Sequence, residues 1–199
     1  SVQQEPRGLM FIVMPKIRSS LSAIAIAMVL CVAAGCSTPQ VATEWTFGDS
    51  ITSRVKETRL IEHVGYNLGA QHYVINPSQE DRVILAAFVE IRNHTQANMI
   101  YITIDEDNLL LRDQNDFDYR PLDPFMDATE ADSASDDQAS VLPFLWADGS
   151  ENAPTIELHK KCDDLDCVLA GWVLFEVPRT IAPQELILEA NDTVYMRFL

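Results

Sequence analysis

Residues 82–92 (RVILAAFVEIR) constrain the fold most, because apolar residues recur there at every second position. The opposite face of an extended chain would carry charged residues, interrupted by Ile84 and Phe88. A helix fits less well, because the charges stand only at the ends and β-branched residues crowd the middle. The pattern therefore predicts a strand with five apolar residues on one face: Val83, Leu85, Ala87, Val89 and Ile91.

Short apolar segments separated by turn residues continue along the chain and predict further strands. Residues 63–71 contain two glycines and an asparagine, and they are predicted to form a connection. No long helical pattern occurs in residues 51–199, so the predicted fold is an all-β, antiparallel β-sandwich of about eight strands. The predicted strands are residues 51–61, 73–75, 82–92, 99–104, 109–111, 168–177, 186–189 and 193–198. In residues 168–177, Val173, Phe175 and Val177 are predicted to face inward.

An acidic insertion at residues 123–154 interrupts this alternation of apolar segments and turns. Its part at residues 126–140 has five acidic side chains and little apolar content. Such a composition buries too little apolar surface to pack, so we expect a mobile loop or a short exposed helix. Residues 141–146 are apolar again and are predicted to cover one end of the core.

A family resemblance follows from the order of the strand motifs. A strand ending in asparagine (VILAAFVEIRN, residues 83–93) precedes LLLRD at residues 109–113 and Tyr119. Two late strands follow, GWVLFEVP at residues 171–178 and LIL at residues 186–188. This order resembles the DUF4352 family of exported bacterial proteins, from about Ile51 to the last residue. The resemblance implies an immunoglobulin-like sandwich, often carried by a lipoprotein without assigned activity, and it implies no chemistry.

The apolar run at residues 21–36 (LSAIAIAMVLCVAAGC) predicts where the chain is sent. Lys16 and Arg18 precede it, and its length suits a signal-peptide core but is short for a membrane span. Small residues lead into Cys36, which resembles a bacterial lipobox, where the cysteine becomes the lipid-carrying first residue. We therefore predict lipid attachment at Cys36. An ordinary secretory signal cut elsewhere and an uncleaved anchor are the alternatives.

The lipobox interpretation also predicts where the protein is located in the cell. Residues 1–35 are interpreted as an over-long start plus a lipoprotein signal peptide, since Met10 or Met14 would give a normal signal length. Ser37 follows the cysteine where an aspartate would resemble an inner-membrane retention signal. The predicted location is the bacterial cell envelope, with the lipid in the outer membrane and the protein facing the periplasm or the surface.

The polar residues 36–50 are predicted to be a lipidated tether ahead of the β-sandwich domain at residues 51–199. The tether contains two aromatic residues, Trp45 and Phe47. These either dock back onto the domain or rest near the membrane surface, and docking is the favoured interpretation.

The charge of the exported part excludes one class of partner. The chain has 14 basic and 30 acidic residues, of which three basic and one acidic precede Cys36, so residues 36–199 carry −18. This charge repels nucleic-acid phosphates and anionic lipid headgroups, so nucleic-acid binding is excluded. It would attract cations or a basic partner, and the alternative interpretation is solubility in a saline environment.

Cysteine usage agrees with export. Cys31 leaves with the signal peptide and Cys36 takes the lipid, which leaves Cys162 and Cys167. An even pair in an exported protein predicts a disulfide. A metal site would need two further ligands, and only His159 lies nearby in the sequence.

The remaining polar residues suggest no catalytic constellation. The four histidines show no close metal-type spacing, although His63 and His72 are considered for a metal site. Calcium is considered at the oxygen-rich turn Asp113, Asn115, Asp116 and Asp118, which lacks the glycine and glutamate of an EF-hand loop. A polar hairpin turn explains the same residues.

The predicted function is therefore that of an envelope-anchored lipoprotein without catalysis, cofactor or metal. It would present its domain for binding an envelope protein, including a basic one, or for envelope assembly. The alternatives are a carrier of a metal ion or small ligand and, less favoured, an envelope hydrolase.

Overall fold

The computed structural model describes residues 38–95, 99–103, 107–133, 139–144, 155–159, 168–190 and 192–199. Every regular element in these ranges is a strand, which confirms the all-β prediction. A helix of the length and hydropathy needed to cross a membrane is not found in this part of the chain. Three predicted site residues, Cys36, Cys162 and Cys167, lie outside the described residues, so the lipid attachment and the disulfide stay predictions.

Each of the eight predicted strands is present in the structure, but the predicted number of strands, about eight, is too low. Six further strands are present among the described residues, and four of them are pairings of only two or three residues, too short to carry a periodic pattern. The fourteen strands are β1 (Thr46–Phe47), β2 (Ile51–Ile61), β3 (Val64–Leu68), β4 (Gln71–Ile75), β5 (Arg82–Asn93), β6 (Met99–Thr103), β7 (Leu109–Asp113), β8 (Asp118–Tyr119), β9 (Thr129–Ala131), β10 (Ala139–Ser140), β11 (Thr155–His159), β12 (Leu169–Pro178), β13 (Pro183–Glu189) and β14 (Thr193–Arg197).

The long strand β5 organises the fold. It pairs antiparallel with β2 on one side and β12 on the other, and β1 extends the far edge of β2, in the order β1-β2-β5-β12, called sheet A. A bulge between Val55 and Glu57 shifts the register of β2. Strand β5 therefore lies inside the sheet that has the longest strands, where its alternating apolar residues are buried.

A second sheet, sheet B, has the order β14-β13-β7-β8 and packs against the inner face of sheet A. The core between the two sheets includes the predicted inward residues of β12, Val173, Phe175 and Val177, all fully buried. Leu111 of β7 and Leu186 of β13 meet them from sheet B. Two sheets that share one apolar core make a β-sandwich. Strands β6 and β11 form a separate antiparallel pair.

The outer face of sheet A is half covered by sheet C, which has the order β10-β3-β4-β9. Ile84 and Ala86 of β5 are buried there against Val64 and Tyr66 of β3. This explains why apolar residues interrupt the polar face of the predicted strand, since a strand buried on both faces loses its strict alternation.

Sheet C corrects two predictions. Residues 63–71 are not a connection, because β3 and β4 form a hairpin there whose turn contains Gly69 at φ 60°. The acidic residues 126–140 are not a free loop or a helix over their described part, because β9 and β10 pair along the edges of that hairpin.

The apolar segment at residues 141–146 covers the core as predicted, over its described part. Val141 is 3% exposed and Phe144 is 7% exposed. The Phe144 ring lies directly on Gly171 of β12, at 2.8 Å from the point where a Cβ would stand. The absent side chain of Gly171 is what makes room for this ring.

Candidate functional site

The described part of the predicted tether is bound to the domain from Pro39 onward. The Thr58 hydroxyl donates to the Pro39 carbonyl, and the Ala42 N–H donates to the Arg197 carbonyl at 3.1 Å. Val41 forms an antiparallel bridge with Phe198, after which the segment crosses over and pairs with β2 as β1. The N-terminal segment therefore joins both sheets of the sandwich.

A groove of about 590 Å³, called the edge groove, opens where this segment leaves β14 and crosses to β2. Trp45 and Phe47 stand on one side, and the edge of β14 stands on the other. Tyr195 is 48% exposed and Phe47 is 61% exposed, so both rings are accessible. The groove is lined by Ala42, Glu44, Trp45, Thr46, Phe47, Glu185, Thr193, Val194, Tyr195 and Arg197.

Strand alternation determines which backbone groups face the edge groove. The Phe198 N–H donates to Gln184 of the neighbouring strand at 2.8 Å, whereas the Arg197 carbonyl accepts from Ala42 on the opposite side. In an antiparallel pair these directions alternate residue by residue. The N–H and C=O of Tyr195 therefore point away from β13, and among the described residues no strand pairs with β14 on that side.

The uncovered half of the outer face of sheet A forms a second surface, called the cation–aromatic face. The guanidinium groups of Arg54 and Arg92 lie 4.4 and 4.1 Å from the centre of the Trp45 ring. The Glu90 carboxylate, whose side chain is 7% exposed, accepts from Arg54 at 2.6 Å and from Lys56 at 3.2 Å. This carboxylate holds the two cations in place.

The cation–aromatic face continues along β2 and β12. The Arg59 guanidinium lies 4.7 Å from the Trp172 ring, which meets the Phe88 ring edge to face at 5.2 Å. Arg59 also pairs with Glu57 at 2.7 Å. Contacts between a cation and a ring stabilise modestly at exposed sites, so the arrangement fixes the side chains while leaving the charges near water. The complete face comprises Trp45, Arg54, Lys56, Glu57, Arg59, Glu90 and Arg92. It is bordered by Phe88 and by Trp172, which is 9% exposed and packs in the core beneath sheet C.

The oxygen-rich turn considered for calcium is a capped hairpin. The Asp113 carboxylate accepts from the backbone N–H groups of Asn115 at 2.8 Å and Phe117 at 3.0 Å, and from the Tyr119 hydroxyl at 3.3 Å. Asp118 forms a two-point ion pair with Arg112 at 2.8 and 3.0 Å. Asp113 and Asp118, two of the three carboxylates considered as calcium ligands, therefore already stabilise the hairpin.

The two histidines considered for a metal site each pair with an asparagine instead. His63 pairs with Asn76 at 2.9 Å and His72 with Asn67 at 2.7 Å, each between neighbouring parts of one hairpin. Across the described ranges, no group of three or more His, Cys, Asp or Glu side chains is placed to hold a metal ion.

The hydrogen bonds at Asp113 predict a pH-dependent contribution to stability. Burial raises the pKa of the Asp113 carboxyl, but the hydrogen bonds from Phe117, Asn115 and Tyr119 lower it by more, so the pKa lies below its usual value. A lowered pKa gives stability that is present above the unfolded pKa and lost as the pH falls through the folded one. We expect Asp113→Asn to cost about 1–2 kcal/mol at pH 7, with the difference from wild type narrowing below about pH 4.

Urea unfolding over a pH series measures this difference. Asp116→Asn is the matched control, because Asp116 lies in the same turn at φ 61°, a conformation that asparagine tolerates equally. A wild-type midpoint that rises with added calcium, and no longer does so in Asp113→Asn, would contradict the hairpin interpretation and restore the calcium hypothesis.

Neither the edge groove nor the cation–aromatic face was predicted as a site from the sequence, although docking of Trp45 was favoured. The available signal was the polar alternation of β2 and β5, which places Arg54, Glu90 and Arg92 on one face once the two strands are paired in register. No family model, curated protein or solved structure matches this chain, so the two surfaces are interpreted from their own geometry.

Proposed function

We propose that this chain is a lipid-anchored lipoprotein of the bacterial envelope whose immunoglobulin-like antiparallel sandwich binds an envelope protein, without catalysis. The observation that carries the proposal is the edge groove, where the outward backbone groups of Tyr195 stand beside accessible aromatic rings. The predicted lipobox at Cys36 and the resemblance to the DUF4352 family support the anchoring and the finer fold.

Strand addition is the binding mode that suits the edge groove. A free strand edge pairs with an extended segment through main-chain hydrogen bonds, and flanking pockets select its side chains. The protein's own N-terminal segment already pairs with β14 in this way at Val41 and Ala42. A partner strand would continue that pairing toward Tyr195.

The side chains around the edge groove favour a partner segment that carries a basic residue. Glu44 and Glu185 contribute two carboxylates and Arg197 one cation, while Trp45 and Tyr195 offer apolar surface. The net charge of −18 over residues 36–199 would steer such a segment toward the domain, and this attraction weakens as salt rises.

Proline at position 195 tests strand addition with little damage to the fold. Tyr195→Pro removes an N–H that points away from β13, and proline is tolerated on the outward side of an edge strand. Tyr195→Thr is the matched control, because it also removes the ring but keeps the N–H. We expect a photo-crosslinker at Thr193 to capture an envelope protein in intact cells in the control, with at least a several-fold loss in Tyr195→Pro.

The two variants must unfold at similar urea concentrations for the comparison to hold. Equal capture in both variants would exclude strand addition at β14. Turnover of an envelope polymer by the purified protein, with no protein captured, would favour the hydrolase alternative instead.

A further inference from the structure

We propose that one end of the sandwich, called the apolar end, rests in the interface of the membrane in which the Cys36 lipid is inserted. The apolar end comprises the exposed side chains of Phe117 and Leu199 together with Ile181. This inference rests on the proposed anchoring at Cys36. It adds a defined orientation of the domain and a partner for side chains that neither the edge groove nor the cation–aromatic face uses.

Backbone hydrogen bonds bring the segments of the apolar end together. The Gln114 N–H, in the turn between β7 and β8, donates to the Ala182 carbonyl, in the turn between β12 and β13, at 2.9 Å. The Leu199 N–H donates to the Gln40 carbonyl of the N-terminal segment at 2.8 Å. These residues line one groove of about 400 Å³, which Thr38 also lines. The N-terminal segment therefore meets the domain at the apolar end.

The chain between the lipid and the apolar end is short. Thr38 is the first described residue, and two steps of ~3.8 Å separate it from Cys36, so the Cα atoms of these residues lie at most about 8 Å apart. Pro39 is fixed to the domain by the Thr58 hydroxyl. An acylated Cys36 would therefore hold the apolar end close to the headgroups.

The exposed side chains of the apolar end suit a membrane interface. Leu199 is 83% exposed and Phe117 is 65% exposed, while Ile181 is partly exposed and packs against the core between sheets A and B. Such side chains gain free energy when they leave water for the boundary between headgroups and acyl chains. So few side chains do not hold a protein by themselves. The acyl chains would supply the binding, and the apolar end would set the orientation.

Charge does not draw the apolar end to a membrane. Arg112 is paired with Asp118, and Asp116 is exposed in the same turn. Residues 36–199 together carry −18, so anionic headgroups would repel the domain. Contact through apolar side chains needs no anionic lipid, and we therefore expect the contact to form on neutral headgroups.

Lipid photo-crosslinking measures this orientation directly. The full-length lipidated protein would be placed in vesicles of phosphatidylcholine, with or without phosphatidylglycerol. A photo-crosslinking phenylalanine analogue would replace either Phe117 or Thr193. Thr193 is exposed at the start of β14, and six residues of extended chain, about 20 Å, separate it from Leu199. We expect adducts with lipid acyl chains at Phe117 to exceed those at Thr193 severalfold, without a rise when phosphatidylglycerol is included.

Paired apolar variants separate insertion of the side chains from the nearness that the tether alone would give. With the cross-linker at Ala182, which is exposed, Phe117→Ser with Leu199→Ser should lower the acyl-chain adducts severalfold. Phe47→Ser with Tyr195→Ser is the matched control, because it removes exposed apolar surface from the edge groove and should leave the adducts unchanged. Equal adducts in the two double variants would overturn the insertion.

Mass spectrometry of the same samples shows whether Cys36 carries lipid. With lipid present, equal adducts at Phe117 and Thr193 would overturn this inference and leave the anchoring intact. A dimer of this chain cross-linked at Phe117, in place of lipid adducts, would overturn it as well, because a second copy would then cover the apolar end. Absence of lipid on Cys36 would remove the anchoring and this inference together.

Discussion

Replacing Phe175 with alanine should lower the free energy of unfolding by about 3–5 kcal/mol. The Phe175 side chain is fully buried and lies between sheets A and B, paired with Leu85 on β5 and bridged by Pro121. Its removal loses the transfer free energy of a whole ring and leaves a cavity between the two sheets. A loss of this size is comparable with the total stability of many single domains, so partial unfolding at room temperature is expected.

Urea unfolding followed by circular dichroism provides the measurement. Phe117→Ala is the matched control, because the Phe117 ring is 65% exposed and its removal should change the free energy of unfolding by less than about 0.5 kcal/mol. Equal midpoints for the two variants would mean that sheets A and B do not share one core, and the sandwich itself would then be wrong.

The part of the fold that was predictable from the sequence is the part encoded by local periodicity. Strand β5 and strand β12 carry apolar residues at every second position, and their predicted inward residues are those found in the core. Each strand buries a face of its own, so its pattern does not depend on knowing the neighbouring strands.

Sheet C could not be predicted because its pairings are set by distant residues. Strand β3 (Val64–Leu68) contains a glycine and an asparagine, which read locally as a connection, yet its Val64 and Tyr66 cover Ile84 of β5. Strand β9 (Thr129–Ala131) is acidic and mostly exposed, as an edge strand tolerates, and only its pairing with β4 makes it a strand.

The two candidate surfaces could not be predicted from the sequence for a similar reason. Trp45 has the aromatic character that suggested docking, but its cations Arg54 and Arg92 come from two different strands, and their meeting depends on the β2–β5 register. The edge groove depends on where the N-terminal segment changes sheets, between Val41 and Thr46. No local pattern specifies such a crossing point.

Cys36→Ala should move the protein from the membrane fraction to the soluble fraction and abolish labelling by a fatty-acid analogue. Each buried methylene of an acyl chain contributes about 0.8 kcal/mol to membrane binding, so two or more chains hold a protein stably and none leaves only weak surface contacts. Surface contacts of a charged domain weaken as salt rises, whereas the hold of the acyl chains does not. The difference between the variants should therefore be largest in a high-salt wash.

Cys31→Ala is the matched control, because Cys31 lies five positions earlier in the same apolar run and is predicted to leave with the signal peptide. It should keep full labelling and membrane attachment. Labelling that persists in Cys36→Ala and disappears in Cys31→Ala would mean that the lipid is attached at the earlier cysteine. Labelling absent from the wild type would mean an uncleaved anchor if the protein stayed in the membrane fraction, and an ordinary secretory signal cut elsewhere if the protein were soluble. In the second case the domain would diffuse freely, and the bound N-terminal segment from Pro39 onward would serve only to join sheets A and B.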